Sequence, residues 1–87
     1  MNYRIPDAVL RANLDTEEVL LNTDTGQYHL LNDTGRRIVN ALEAGESAEA
    51  ASVEVAVSTG MTRDVVQADV EAFVEACVAR GLLRSEE

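Results

Sequence analysis

Lysine and tryptophan are absent from this 87-residue chain, and cysteine, histidine, proline and phenylalanine occur once each. Each scarcity closes a class of function. The single Cys77 excludes an internal disulfide and suits a reducing compartment. One cysteine and one histidine are too few for a structural zinc site. With no lysine, the positive charge rests on dispersed arginines, Arg4, Arg11, Arg36, Arg37, Arg63, Arg80 and Arg84, against a formal net charge of −9. Binders of nucleic acids and anionic membranes set clustered cations against phosphates, and this chain has no such cluster. No apolar run approaches the roughly 20 residues that span a bilayer, and the leading MNYRIPD lacks the apolar centre of a signal peptide. These absences predict a soluble, cytoplasmic protein with no nucleic-acid or membrane partner.

What remains suits one small domain over residues 1–87, with its core in about 8–83. Ala and Val dominate the apolar residues. Small side chains bury little area each, so modest stability is expected, near the low end of roughly 5–15 kcal/mol. Residues 1–7 read as a loose lead-in, with Pro6 holding Ile5 extended. Ala8–Leu14 reads as a first strand. Val19–Leu21 and Tyr28–Leu31 read as a hairpin around Asn22-Thr23-Asp24-Thr25-Gly26, whose side chains bond their own backbone and whose Gly26 takes a positive φ. The fold class expected is α+β: a three-stranded antiparallel sheet followed by three α-helices, winged helix-turn-helix-like.

Helical periodicity takes over at Asn32, whose side chain is suited to cap the first helix. Ile38, Ala41 and Leu42 form its apolar stripe, and Gly35 in its first turn is costly unless backbone must pass close by. Ser47 caps a second helix, with Ala50, Val53 and Val57 as its expected stripe. Thr62 caps a third, where Val66, Val70, Phe73, Val74 and Cys77 form a core stripe. Leu82 and Leu83 fold back on its end, and Arg84 to Glu87 should fray. Beside the core stripe, Val65, Asp69, Ala72 and Ala76 stand at i, i+4, i+7 and i+11. That row reads either as flank of the core with a solvated carboxylate, or as the floor of a groove.

Catalytic chemistry is poorly supplied, and no catalytic residue, metal ligand or cofactor is predicted. His29 is a lone strand histidine, and Cys77 on a core stripe is by default an inert buried thiol. No phosphate-binding glycine loop is present, and the carboxylates are spread along helix faces. An acyl or peptidyl carrier needs a serine in a setting such as Asp-Ser-Leu at a helix start; Ser47, Ser52 and Ser58 do not offer it. A winged-helix DNA binder needs a cationic recognition helix. The third helix instead sets Arg63 and Arg80 at opposite ends against Asp64, Asp69, Glu71 and Glu75.

The ordered stretch VLLNTDTGQYHLLNDTGRRIVNAL resembles the PqqD-like proteins: an apolar strand, an acidic-glycine turn, an aromatic strand, then Leu-Asn-x-Thr-Gly opening a helix. Ala68-Asp69-Val70, Phe73 and Gly81-Leu82-Leu83 continue the likeness, which covers about residues 8–83. Val39 departs from it, standing where a tryptophan is common, which concerns core packing more than the site. The resemblance implies a non-catalytic recognition element for the leader of a ribosomally made precursor peptide. Such elements take the leader as an added strand on the third strand, beside the third helix. The tyrosine strand and Leu-Asn-Asp-Thr-Gly look most like the stand-alone recognition protein of lasso-peptide pathways. That protein delivers its precursor to a leader-cleaving cysteine protease, a cyclase or both. A PqqD-type chaperone serving a radical enzyme in quinone-cofactor synthesis is the alternative.

The residues themselves agree with that implication. A free strand edge is usually blunted by Lys, Pro or a bulge, and Gln27–Leu31 has none of these. A guest strand would satisfy its main-chain groups. The expected peptide-binding set is therefore Gln27, Tyr28, His29, Leu30 and Leu31 on the strand, with Val65, Asp69, Ala72, Phe73 and Ala76 on the helix. Alternation separates Tyr28 and Leu30 from His29 and Leu31, without deciding which pair faces the helices.

Overall fold

A computed structural model describes residues 2–15 and 17–86. Eight elements follow in order: β1 (Asn2–Arg4), β2 (Val9–Leu14), β3 (Glu17–Asn22), β4 (Tyr28–Leu31), α1 (Asp33–Glu43), α2 (Ala48–Thr59), α3 (Arg63–Ala79) and β5 (Arg84–Glu86). Strands β2, β3 and β4 form an antiparallel meander with β3 in the centre. Three helices follow, so the expected sheet-then-helices order is observed. None of the helices among the described residues is long and apolar enough to cross a membrane.

The β3–β4 turn closes as its composition predicts. Asn22 Oδ1 accepts from the N–H groups of Asp24 (2.9 Å) and Thr25 (3.2 Å), and Gly26 sits at φ +77°. Asn22 does more than its local pattern suggests. Its Nδ2 donates to Gly81 O, 59 residues away, at 2.9 Å. Gly81 has φ +71°, and an added Cβ would stand 2.9 Å from that same Nδ2. Only glycine suits both the backbone angle and the close approach. This bond ties the hairpin to the end of α3.

Asn32 caps α1, accepting from Gly35 N at 2.7 Å, and Ile38, Val39, Ala41 and Leu42 turn into the core. Ser47 caps α2, accepting from Ala50 N. The buried face of α2 differs from expectation: Ala51, Ser52 and Val55 are buried, whereas Val53 and Val57 face solvent, Val57 at 80% exposure. The run AEAASVEVAV is apolar nearly all round, so periodicity selects no face and packing decides. Ser52 is tolerated inside because its Oγ donates to Ala48 O. Thr62 stands at the N-cap of α3 without a side-chain cap bond. Residues 61–65 are exposed there, so water can satisfy the free N–H groups.

The largest departure is at the ends of the chain. Residues 2–4 and 84–86, expected to be loose, pair as a second antiparallel sheet, with Tyr3 opposite Ser85. Arg4 meets Glu86 across it at 3.6 Å, and Tyr3 packs against the core. Met1 and Glu87, which belonged to those expectations, lie outside the described residues. Three-residue strands carry no periodicity to read. Leu82 and Leu83 are buried as expected, with both N–H groups donating to Cys77 O. The fully buried side chains, including Leu20, Ile38, Val39, Val70 and Cys77, form one small-residue core between sheet and helices.

Candidate functional site

The register defines which main-chain groups β4 offers. Asn22 N donates to Gln27 O, and the following partners are Leu21–Tyr28, Leu20–His29, Val19–Leu30 and Glu18–Leu31. Hydrogen-bonded and non-bonded pairs alternate along an antiparallel ladder. His29 and Leu31 therefore turn their N–H and C=O toward β3, and Tyr28 and Leu30 turn theirs outward. No strand lies beyond β4 among the described residues.

The same alternation settles the faces. His29 and Leu31 point toward the helices, Leu31 buried and His29 half-buried; Tyr28 and Leu30 are exposed on the outer face of the sheet. Opposite this edge runs α3. The His29 ring meets Phe73 edge-on, with centroids 5.3 Å apart and planes at 85°. Behind them the first turn of α1 passes close to Phe73: a Cβ on Gly35 would lie 3.4 Å from Phe73 Cε1 and 3.3 Å from Asn32 Oδ1. The Asn32 approach is tight and the Phe73 one an ordinary contact, so a side chain here would press first on the helix cap.

At about 100° per residue, Asp69, Phe73, Ala76 and Arg80 fall on one face of α3, between the core stripe and the row Val65 and Ala72. Val65, Asp69 and Ala72 are exposed and Ala76 is half-buried. Val65 and Ala72 thus occupy the solvent-side shoulder of that face rather than its floor. Phe73, counted with the core stripe as well as with the site, is half-buried and joins the two.

Arg80 was missed in the sequence. Its Nη1 donates to Tyr28 O at 3.2 Å and lies 3.1 Å from His29 Nδ1. Burial first, and the Arg80 charge second, lower the His29 pKa. The ring stays neutral at neutral pH, with Nδ1 as the acceptor. The spacing held a signal, since Arg80 follows Phe73 by seven and Ala76 by four.

Two hollows adjoin this edge. One of about 550 Å³ is lined by Thr25, Gly26, Gln27, Tyr28, His29, Leu30 and Arg80. The other, of about 330 Å³, is lined by Glu17, Leu30, Leu31, Asn32, Asp33 and Arg36. Leu30 belongs to both, so together they follow the length of β4. The arrangement can hold an extended main chain and place its side chains alternately on the helix side and the outer face. Cys77 stands apart, fully buried, and burial pushes its thiol up to about 11. Among the described residues no group of three or more His, Cys, Asp or Glu is placed to hold a metal ion.

The model of the family described as Coenzyme PQQ synthesis protein D (PqqD) matches residues 17–83. A solved structure of TbiB1 in complex with the TbiA(beta) leader peptide is 33% identical, covering 100% of this chain and 99% of its own, at a TM-score of 0.83. Another, of a lasso peptide synthetase B1 complexed with the leader peptide, is 26% identical over 98% of this chain and 100% of its own, at a TM-score of 0.88. No curated protein matches.

Proposed function

The chain belongs to the PqqD family, and on that premise we propose that it recognises the leader of a ribosomally made precursor peptide in lasso-peptide biosynthesis. The leader adds as a strand to β4 and lies in the trough between β4 and α3. The observation that carries this reading is the outward main chain of Tyr28 and Leu30, with His29 between them set against Phe73 of α3. Both similar solved structures are described as complexes with a leader peptide, which supports the same reading. Gln27–Leu31 form the pairing edge; Asp69, Phe73 and Ala76 form the helix wall; Val65 and Ala72 form its shoulder. The protein itself does no chemistry in this scheme. It hands the precursor to a leader-cleaving cysteine protease, a cyclase or both.

The test is a titration of fluorescently labelled synthetic leader into wild type, Val65→Glu and Ala72→Arg. The shoulder positions are exposed, so both variants should fold. Weaker binding by about tenfold is expected where a bulky charge crowds the trough. Unchanged affinity in both folded variants would remove the α3 shoulder from the site.

A further inference from the structure

The two ends of the β4 trough carry opposite charge. At the hairpin end, Arg80 is the one formally charged side chain lining the hollow among the described residues, because His29 is held neutral there. At the other end the lining holds Glu17, Asp33 and Arg36; Arg36 and Asp33 pair with each other, which leaves the net negative charge to Glu17. The α3 wall repeats this order. Arg80 reaches Tyr28, where β4 begins, and Phe73 reaches Gly35, just past where β4 ends. Asp69, one turn before Phe73, therefore lies toward the acidic end. Along the helix, Asp69 and Arg80 are about 16 Å apart.

We infer that this polarity selects the register of the bound peptide, resting on the leader-binding reading above. An acidic side chain of the peptide sits on Arg80, and a basic one lies about three to five residues away, at the Glu17 and Asp69 end. Arg80 is suited to this while it holds the strand. One nitrogen, Nη1, serves Tyr28 and His29, and the guanidinium fork carries further donors that match a carboxylate. The surrounding charge sharpens the choice. In a chain of net charge −9, a peptide carboxylate is repelled over much of the surface, and along the two hollows beside β4 Arg80 is the cation with no carboxylate partner among the described residues. A slipped register would set it against Glu17 or Asp69, so misplacement is penalised as well as correct placement favoured.

A display library of random twelve-residue peptides, selected in parallel on wild type, Arg80→Gln, Arg80→Glu and Glu17→Lys, tests this. Wild type should enrich Asp or Glu at one strand position and Lys or Arg three to five residues from it. Arg80→Gln should lose the acidic preference, and Arg80→Glu should replace it with a basic one. Glu17→Lys should alter only the basic position. With selected peptides made synthetically, Glu→Lys at the acidic position should weaken wild-type binding about two- to five-fold, as expected for a largely exposed pair, and strengthen binding to Arg80→Glu. Identical charge patterns on all four proteins would overturn the register proposal while leaving peptide binding intact. Failure of any peptide to enrich would overturn the leader-binding reading and this inference with it.

Discussion

The sheet has two outer strands, β2 and β4, and the chain protects them unequally. On β2 the main-chain groups of Val9, Arg11 and Asn13 point outward, because Leu10 and Ala12 pair with Leu21 and Val19. Val9 N is already engaged by Pro6 O at 3.0 Å. The Arg11 side chain turns inward, bonding Glu18 and Glu43. An inward charge and a nearby proline turn are recognised ways of discouraging edge pairing. On β4 a single arginine touches a single carbonyl, and Leu30 is left with its main chain open. Two edges of one small sheet share the same solvent, so the difference points to use: β2 carries features that discourage pairing and β4 carries fewer.

Proline substitution separates the edges most sharply. Leu30→Pro removes an N–H that faces outward, so the β3–β4 ladder survives. Its ring obstructs a guest strand, and leader affinity should fall about a hundredfold in the titration. Asn13→Pro, the same change on β2, should leave affinity unaltered. Next in size is Arg11→Ala, which deprives the buried Glu18 of its partner. It should cost about 1–3 kcal/mol in chemical denaturation and leave leader affinity at the wild-type value. A loss of binding comparable to that of Leu30→Pro would erase the distinction between the edges.

The smallest expected effect concerns pH. The folded His29 pKa lies below its ordinary value of 6.5, through burial and then Arg80, so the folded state binds its proton less readily than the unfolded chain does. Its contribution is fully present above about pH 6.5 and is lost as pH falls through that range. Protonation also places a second positive charge beside Arg80. Thermal melts from pH 7.5 to 5.5 should show a decline that is shallower in His29→Asn. Parallel curves for the two proteins would rule out this coupling.

Much of this was legible in the sequence because it is local. Asn22 and Asn32 bond backbone within three residues of themselves, and such turns and caps can be read from composition. The β2–β4 meander, the α3 core stripe and the Leu82-Leu83 clamp follow from the same short-range patterns. The buried face of α2 was illegible because alanine and valine surround the helix, leaving Val53 and Val57 indistinguishable from the core residue Val55. The β1–β5 sheet was hidden because it joins chain ends through three-residue segments. In the site, the edge strand was legible as an unprotected aromatic run, but the inward pair, His29 and Leu31, required the register. Helical spacing sets Arg80 in line with Phe73 and Ala76, but its bond to Tyr28, 52 residues away, is a tertiary contact that spacing does not specify.

The most direct test of the open-edge account is amide hydrogen exchange along β2 and β4, resolved by residue, with and without saturating synthetic leader. In the free protein His29 and Leu31 should exchange slowly and Tyr28 and Leu30 fast. With leader bound, Tyr28 and Leu30 should become protected while Arg11 and Asn13 stay unchanged. Fast exchange at Tyr28 and Leu30 under saturation, or new protection at Arg11 and Asn13, would contradict it.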